Sequence, residues 1–264
     1  MRILYGMNPV RELLRAEGEG LSELWLAEGG TRGPAFAELE RLGRERGAKV
    51  RSAPRAKLDR LAGTDRHQGV VAVVADFRYA EVKDLLAAAA ASGRPPLVVV
   101  LDGVEDPHNL GAIIRSAHAL GAHGVIIPRD RAVGITPAAV KASAGAVERC
   151  PVARVTNLAK TIEGLKGEGL WSVALTADAG QPLAAVDLTG PIALVLGSEG
   201  EGLRPLVRKT CDLAGAIPMT GDLDSLSVSA AAAVSLYEVT MQRIHGHGPG
   251  VKAAAAPLPP AKGV

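Results

Sequence analysis

From residue 97 onward, short apolar segments alternate with segments of helical periodicity, and this alternation constrains the fold more than any other feature of the chain. Apolar segments such as 97–101 and 192–196 are too uniformly hydrophobic for strands with one face in water. Strands of this kind, separated by helices, are typical of a mostly parallel sheet covered by helices on both faces. The sequence therefore predicts an α/β domain over residues 97–245. Its remaining predicted elements are strands at 124–127, 152–155, 170–175 and 215–218 and helices at 109–120, 137–144, 157–166, 203–209 and 226–244.

A smaller α/β domain is predicted in residues 1–76. Its predicted elements, in chain order, are a helix from Asn8 to Arg15, a strand at 24–26, a helix at 34–46, and strands at 49–51 and 69–74. Residues 77–96 are predicted to be a linker with one helical segment, because the Pro95-Pro96 pair at its end resists helix formation. The Gly-, Ala- and Pro-rich tail 246–264 is predicted to be disordered.

Basic residues are concentrated between positions 41 and 60, although the net charge of the whole chain is only +2. The cations are Arg41, Arg44, Arg46, Lys49, Arg51, Arg55, Lys57 and Arg60, against the carboxylates Glu45 and Asp59. Such a cluster fits either a surface that binds phosphates or an ordinary solvated face. With two Trp, three Tyr and two Phe in the chain, an aromatic platform for stacking bases is not expected.

The cysteine pattern and the hydropathy indicate the compartment. Cys150 and Cys211 are far apart and neither has a CxxC partner, so we expect no disulfide or zinc framework and no bound metal. No apolar run is long enough for a membrane span, and the first residues do not resemble a signal peptide. These features predict a cytoplasmic protein.

Three loops at predicted strand ends carry unusual side chains, and ligands of open parallel sheets gather at such ends. In the first loop, acidic and polar residues crowd the turn from Asp102 to Asn109. Asn109 is expected to cap the helix that follows, and Arg115 lies off the buried face of that helix. The alternative to a functional role is an ordinary helix cap followed by a surface arginine.

The second loop places three glycines after a buried strand: Gly197, Gly200 and Gly202. Glycines allow a ligand to approach the backbone closely. Glu199 in the same loop would repel a phosphate, so the loop favours a neutral or cationic ligand over a dinucleotide.

The third loop leads into a helix whose first half is nearly all Ser, Ala and Val, small residues that allow close packing of another segment. The core face of this helix is expected to contain Leu226, Ala230, Val234, Tyr237 and Met241.

These three loops, in this order and spacing, resemble the three motifs of the SpoU–TrmH family of SPOUT methyltransferases over about residues 94–245. The segments from Tyr5 to Leu14, from Arg66 to Val71 and from Lys141 to Ala146 resemble the bacterial large-subunit rRNA guanosine ribose methyltransferases of that family. The resemblance implies an N-terminal RNA-binding domain, a catalytic α/β domain with a deep trefoil knot, and a homodimer whose active sites draw on both subunits.

The resemblance also implies that S-adenosyl-methionine binds in the knot, mainly to backbone. The matching positions here are Gly197, Ile217 and Leu226, with Thr176 and Met219 nearby. The reaction implied is attack of a ribose 2′-hydroxyl of RNA on the methyl group of the cofactor.

The polar catalytic residues implied by the family pattern are Asn109, Arg115, Glu199 and Ser225. A guanidinium is not normally deprotonated in proteins, so we expect Arg115 to clamp a phosphate and stabilise developing negative charge. Glu199 is then expected to orient Arg115 or Asn109 and to accept a proton through water. The third motif departs from the family pattern, because Ser227 stands where the family has Asn.

Other functions are compatible with single motifs. A nucleotide-dependent dehydrogenase or an ordinary Rossmann methyltransferase has a glycine loop, but places it after the first strand of the domain. An RNA-binding ribosome-assembly factor that lost turnover through Ser227 is a non-enzymatic alternative. The resemblance favours 23S rRNA as substrate, at the P-loop guanosine of the peptidyl-transferase centre, with tRNA or another rRNA position as alternatives.

Overall fold

The computed structural model describes residues 1–15, 21–29, 33–75, 77–222 and 225–245, and the predicted tail lies outside them. The N-terminal unit consists of β1 (Arg2–Tyr5), α1 (Met7–Arg15), β2 (Leu21–Ala27), α2 (Pro34–Glu45), β3 (Lys49–Ala53), α3 (Arg55–Ala62) and β4 (Val70–Val74). Over the described residues its sheet has the strand order β1-β4-β2-β3. Strand β4 is antiparallel to both of its neighbours, whereas β2 and β3 are parallel.

The second unit contains α4 (Val82–Ser92), β5 (Leu97–Asp102), α5 (Pro107–Ala119), β6 (Gly124–Pro128), α6 (Pro137–Ala142), β7 (Val152–Val155), α7 (Leu158–Gly167), β8 (Trp171–Leu175), β9 (Ile192–Gly197), α8 (Pro205–Thr210), β10 (Leu213–Gly215) and α9 (Val228–His245). Short 3₁₀ helices lie at Ala146–Glu148 and Leu183–Ala185. The strands pair in the order β10-β8-β9-β5-β6-β7, and every pairing between them over the described residues is parallel. The predicted α/β class and parallel sheet are confirmed.

Two local predictions are wrong, and two elements, β1 and α3, were not predicted. The strand predicted at 215–218 is β10, which ends at Gly215. Helix α3 was not predicted, since only Leu58 of its residues is buried and one buried position gives no periodicity. Asn109 does not cap α5: the cap is Asp106, whose carboxylate accepts a hydrogen bond from the His108 backbone at 2.9 Å.

The core is divided by the second sheet. On one face, α5, α6 and α9 bury residues such as Ile113, Val140 and Leu236 in a cluster that continues into the N-terminal unit. On the other face, α4, α7 and α8 cover a second cluster, to which α4 contributes the fully buried Leu85. Helix α4 belongs to the predicted linker by sequence, yet it packs on the second sheet.

The expected core face of α9 is wrong. Its buried residues include Val228, Ala232, Leu236 and Val239. Three expected core residues are instead exposed, namely Leu226 (37%), Val234 (43%) and Tyr237 (55%). An Ala-rich helix carries apolar residues all round, so periodicity could not identify which face meets the sheet.

Candidate cofactor and RNA site

Strand register brings the chemically unusual loops together at one edge of the second sheet. Asp102 at the end of β5 is paired with Gly197 at the end of β9. Leu175 at the end of β8 is paired with Leu196 of β9 and with Gly215 of β10. The segments that follow these four strands therefore start side by side, at the carboxyl ends where open α/β sheets bind ligands.

The glycine loop after β9 folds back on itself. The backbone N–H groups of Ser198 and Gly202 donate to each other's carbonyl oxygens at 3.2 and 3.1 Å. Gly197 then lies against the Gly202 backbone so closely that a Cβ would overlap it. Gly200 and Gly202 have φ values of 88° and 67°, and no atom lies within 4 Å of where their Cβ would be. Their backbone is therefore accessible to a ligand.

A buried carboxylate anchors this loop to the neighbouring strand. Asp102 accepts hydrogen bonds from the backbone N–H of Arg204 at 2.9 Å and from its Nε at 2.7 Å. The Nη2 of Arg204 completes the contact at 2.6 Å. Because a buried charge without partners is costly, this three-part contact fixes the end of the loop to β5.

A polar network joins all three motifs. Glu199 Oε1 accepts from the Nδ2 of Asn109 and from the backbone N–H of Val228, each at 3.0 Å. The hydroxyl of Ser229 donates to the Oδ1 of Asn109 at 2.8 Å. The Asn109 amide is thus oriented at both ends, while Glu199 receives the first N–H of α9, at the positive end of the helix dipole.

A cleft of about 420 Å³ opens beside this network. All five predicted cofactor-binding residues line it, namely Thr176, Gly197, Ile217, Met219 and Leu226, as do Glu199 and Ser225. A second cavity of about 400 Å³ is lined by Asn109 and by the loop after β5. Five residues of the glycine loop and of α9 form a wall shared by the two cavities: Ser198, Glu199, Glu201, Gly202 and Val228.

Asp178 is a further polar residue of the cleft that sequence analysis did not identify. Its carboxylate accepts from the Thr176 hydroxyl at 2.6 Å and contacts the Arg208 guanidinium at 2.9 Å. The hydrogen bond from Thr176, followed by that from Arg208, lowers the pKa of Asp178 below its ordinary value. This carboxylate therefore stays ionised at neutral pH, and it pairs with Arg208, the one arginine among the described residues that line the cleft.

The comparisons with known proteins decide the family. A model described as the SpoU rRNA Methylase family matches residues 96–237. A second model, for RNA 2′-O ribose methyltransferase substrate binding, matches residues 3–80. The chain belongs to the SpoU rRNA methylase family.

Individual relatives match this SpoU methylase over nearly their whole length. A Bacillus subtilis protein named as a TrmH family tRNA/rRNA methyltransferase, YacO, is 46% identical, over 90% of this chain and 94% of its own. The 23S rRNA (guanosine-2′-O-)-methyltransferase RlmB of Xylella fastidiosa is 43% identical, over 91% of this chain and 96% of its own. The crystal structure of the SpoU methyltransferase AviRb from Streptomyces viridochromogenes, in complex with AdoMet, has a TM-score of 0.79 at 26% identity, covering 92% of this chain and 91% of that one.

The predicted enzyme class is confirmed by these matches. This SpoU methylase is an S-adenosyl-methionine-dependent RNA ribose 2′-O-methyltransferase with the α/β-knot fold of its family. The residues of the cleft fit the cofactor. Apolar side chains such as Leu175, Ile217 and Leu226 suit an adenine ring, and the carboxylates of Asp178 and Glu199 suit a ligand with cationic groups.

Arg115 does not line the site in this chain. It lies six residues after Asn109, about 240° farther round the helix axis. It is exposed and lines neither cavity. Of the two residues that Glu199 was expected to orient, Asn109 is the one that it contacts within this chain.

Ser227, which stands where the resemblance implies Asn, has a structural role in this SpoU methylase. Its hydroxyl accepts from the Ala230 N–H at 3.2 Å and so caps α9. It also lies 3.1 Å from the hydroxyl of Ser229, which reaches Asn109. Sequence analysis missed Ser229 as a site residue, although its place two positions after Ser227 in the third motif was a usable signal.

Within the described ranges, no helix is long and apolar enough to cross a bilayer. The same residues contain no group of three His, Cys, Asp or Glu side chains arranged to hold a metal ion.

Proposed function

We propose that this methylase modifies a guanosine of 23S rRNA, in the cytoplasm. The observation that carries the proposal is the match to the Xylella fastidiosa relative named for that reaction, which extends over both units. Substrate choice in a two-domain enzyme depends on both domains, so similarity across the RNA-binding unit supports a shared substrate. We also propose residues 1–76 as the RNA-binding domain, 77–96 as the connection and 97–245 as the catalytic domain.

Ribose-methylation mapping of rRNA and tRNA tests the substrate. A strain that lacks this gene is expected to lose one 2′-O-methylguanosine of 23S rRNA, at the P loop of the peptidyl-transferase centre, and to regain it when the gene is restored. Loss of a tRNA methylation, with 23S rRNA unchanged, would contradict the proposal and support the tRNA alternative.

The basic cluster supports an RNA surface on one side of the N-terminal unit. The α2 arginines are neutralised by helix neighbours, since Arg41 pairs with Glu45 and Arg44 with Glu40. By contrast, Lys57 lies 4.2 Å from the centroid of the buried Trp25 ring and has no carboxylate partner among the described residues. Cations without carboxylate partners are the ones available to phosphates.

Paired variants test this surface. Lys57→Ala with Arg60→Ala is expected to weaken RNA binding. The plot of the logarithm of the RNA association constant against the logarithm of the salt concentration should become less steep by about two units of slope. Arg41→Ala with Arg44→Ala removes the same charge from α2 and is expected to leave the slope unchanged. Equal losses in the two double variants would contradict the assignment of the RNA surface to α3.

We propose the following roles at the site. The cofactor supplies an activated methyl group. Asn109, fixed by Glu199 and Ser229, positions the target 2′-hydroxyl in line with that methyl group. Glu199 Oε1 is occupied by two donors, whereas its other oxygen has no hydrogen-bond partner among the described residues, so it is available to take the hydroxyl proton through water. Ser225 lines the cofactor cleft.

We propose that Arg115 acts in the active site of a partner copy, as a clamp for a target phosphate. Its own protomer leaves it in solvent. The outer face of α9, which packs beside α5, carries Val234, Tyr237 and Ile244 with exposures of 43%, 55% and 68%. An exposed apolar stripe of this kind is typical of an interface. A symmetric dimer formed through α9 would place α5 of one chain close to its partner.

Mixed dimers test this arrangement. Arg115→Ala and Asn109→Ala are each expected to abolish activity in homodimers. Random mixing of the two variants is expected to restore about a quarter of wild-type activity, because half of the dimers then contain one intact composite site. If Arg115 acts in its own protomer, or if the enzyme is a monomer by light scattering, mixing restores nothing and the proposal fails.

A further inference from the structure

The second cavity holds a charge arrangement that the proposed roles do not use. Five carboxylates line it: Asp102, Glu105, Asp106, Glu199 and Glu201. Two arginines also line it, Arg131 and Arg204. In-line attack requires the hydroxyl to approach the methyl group from the side opposite the sulfur. Asn109, which is proposed to position that hydroxyl, lines the second cavity, so the target nucleotide is expected to lie there. An RNA strand that enters here meets mostly negative charge.

The two arginines are not equivalent. Arg204 is committed to Asp102 through its backbone N–H, Nε and Nη2. Arg131 is exposed and forms no hydrogen bond or ion pair with any residue in the described part of the chain. Among the described residues that line this cavity, Arg131 is therefore the cation available to an anionic ligand.

The loop that carries Arg131 is fixed on both sides. Before it, the Arg129 backbone N–H donates to the Val155 carbonyl at 2.8 Å. After it, the Val133 N–H donates to the Val104 carbonyl at 2.9 Å, which ties the loop to the segment between β5 and α5. At the apex, Arg131 has a φ of 54°, in the left-handed region that favours glycine. An unfavourable backbone held by fixed flanks is typical of residues whose side chains have a function.

We propose that Arg131 binds a phosphate of the RNA strand next to the target ribose, within the protomer whose Asn109 and Glu199 hold the 2′-hydroxyl. This inference rests on the proposed function. The guanidinium is a planar fork that matches two phosphate oxygens. It offsets the repulsion between the strand and the five carboxylates. Arg131 is thus a substrate-binding residue in its own protomer, whereas Arg115 is proposed to come from the partner.

Arg131→Gly tests this contact without adding backbone strain, since glycine adopts a φ of 54° freely. The expected result is a KM for a 23S rRNA fragment raised about tenfold or more, as for loss of a charged hydrogen bond. The slope of log K against log salt is expected to fall by about one. The dissociation constant for S-adenosyl-methionine, measured by calorimetry, is expected to stay at the wild-type value. Arg131→Lys keeps the charge but not the fork, and should give an intermediate KM.

Arg129→Ala is the matched control. It removes a cation two positions away that lines a different groove, beside Lys83 and Asn157, and it keeps the backbone hydrogen bonds of the loop. Wild-type KM for RNA in Arg131→Gly would overturn the inference, as would equal losses in Arg129→Ala or a matching loss of cofactor affinity. If the wild-type protein methylates no 23S fragment, the substrate proposal fails instead. Filter binding of the same RNA to wild type and to Arg131→Gly would then still test the Arg131 contact.

Discussion

Replacing Gly197 with alanine tests whether the glycine loop forms the cofactor cleft by close backbone packing. A Cβ at this position would lie closer than 3.0 Å to backbone atoms of Gly202 and Leu203, whereas ordinary contacts begin at 3.4 Å. The loop cannot simply rotate away, because two hydrogen bonds join Ser198 to Gly202 and the Asp102–Arg204 contact fixes its far end. Backbone atoms must therefore move.

Overpacking of this kind costs about 1–3 kcal/mol. The same backbone lines the cleft, so part of this cost is expected as a loss of cofactor affinity, with tenfold for every 1.4 kcal/mol. Gly200→Ala is the matched control. Its Cβ would enter open space, so only its φ of 88° is unfavourable, at a cost of about 1–2 kcal/mol. Comparison of the two variants separates atomic overlap from backbone strain.

Urea denaturation and calorimetry with S-adenosyl-methionine are the assays. Gly197→Ala is expected to bind the cofactor at least tenfold more weakly than wild type and more weakly than Gly200→Ala. Wild-type affinity and an unchanged denaturation midpoint in Gly197→Ala would refute the reasoning, because they would mean that the loop relaxes without cost.

Three further changes have defined outcomes. Glu199→Gln keeps an acceptor for Asn109 but cannot take a proton, so kcat at saturating cofactor should fall about a hundredfold; unchanged turnover would remove Glu199 as proton acceptor. Burial, reinforced by the nearby Arg94, lowers the pKa of His123 below its ordinary 6.5. The neutral ring therefore stabilises the fold above pH 6.5, and this stability is lost as the pH falls. The melting temperature of the wild type should fall more steeply below pH 6.5 than that of His123→Asn. Asp102→Ala should lower the free energy of unfolding by about 2 kcal/mol, measured in urea, since Arg204 loses its partner but can still reach water.

Much of the site was predictable because each of its three motifs is a short local segment of the sequence. The glycine loop and the strand before it showed where backbone would be accessible, and the register of β5, β8, β9 and β10 then placed Thr176, Gly197 and Ile217 around one cleft. The network around Asn109 was only partly predictable. Its partners Glu199 and Ser229 are distant in sequence by 90 and 120 positions, and no local pattern reports such pairing.

The sequence alone determined the fold class and the approximate elements, because hydrophobic periodicity and turn chemistry act over a few residues, and the resemblance of its three motifs indicated the family. It could not determine which face of α9 is buried, since an Ala-rich helix has no single apolar stripe, nor that Asp106 rather than Asn109 caps α5. Both Arg115 and Arg131 are exposed, but only the tertiary structure showed that Arg131 lines the cavity that contains Asn109 and Glu199, whereas Arg115 does not. The physical reason is that side-chain direction within a packed unit depends on contacts between distant segments, which exist only once the sheet has formed.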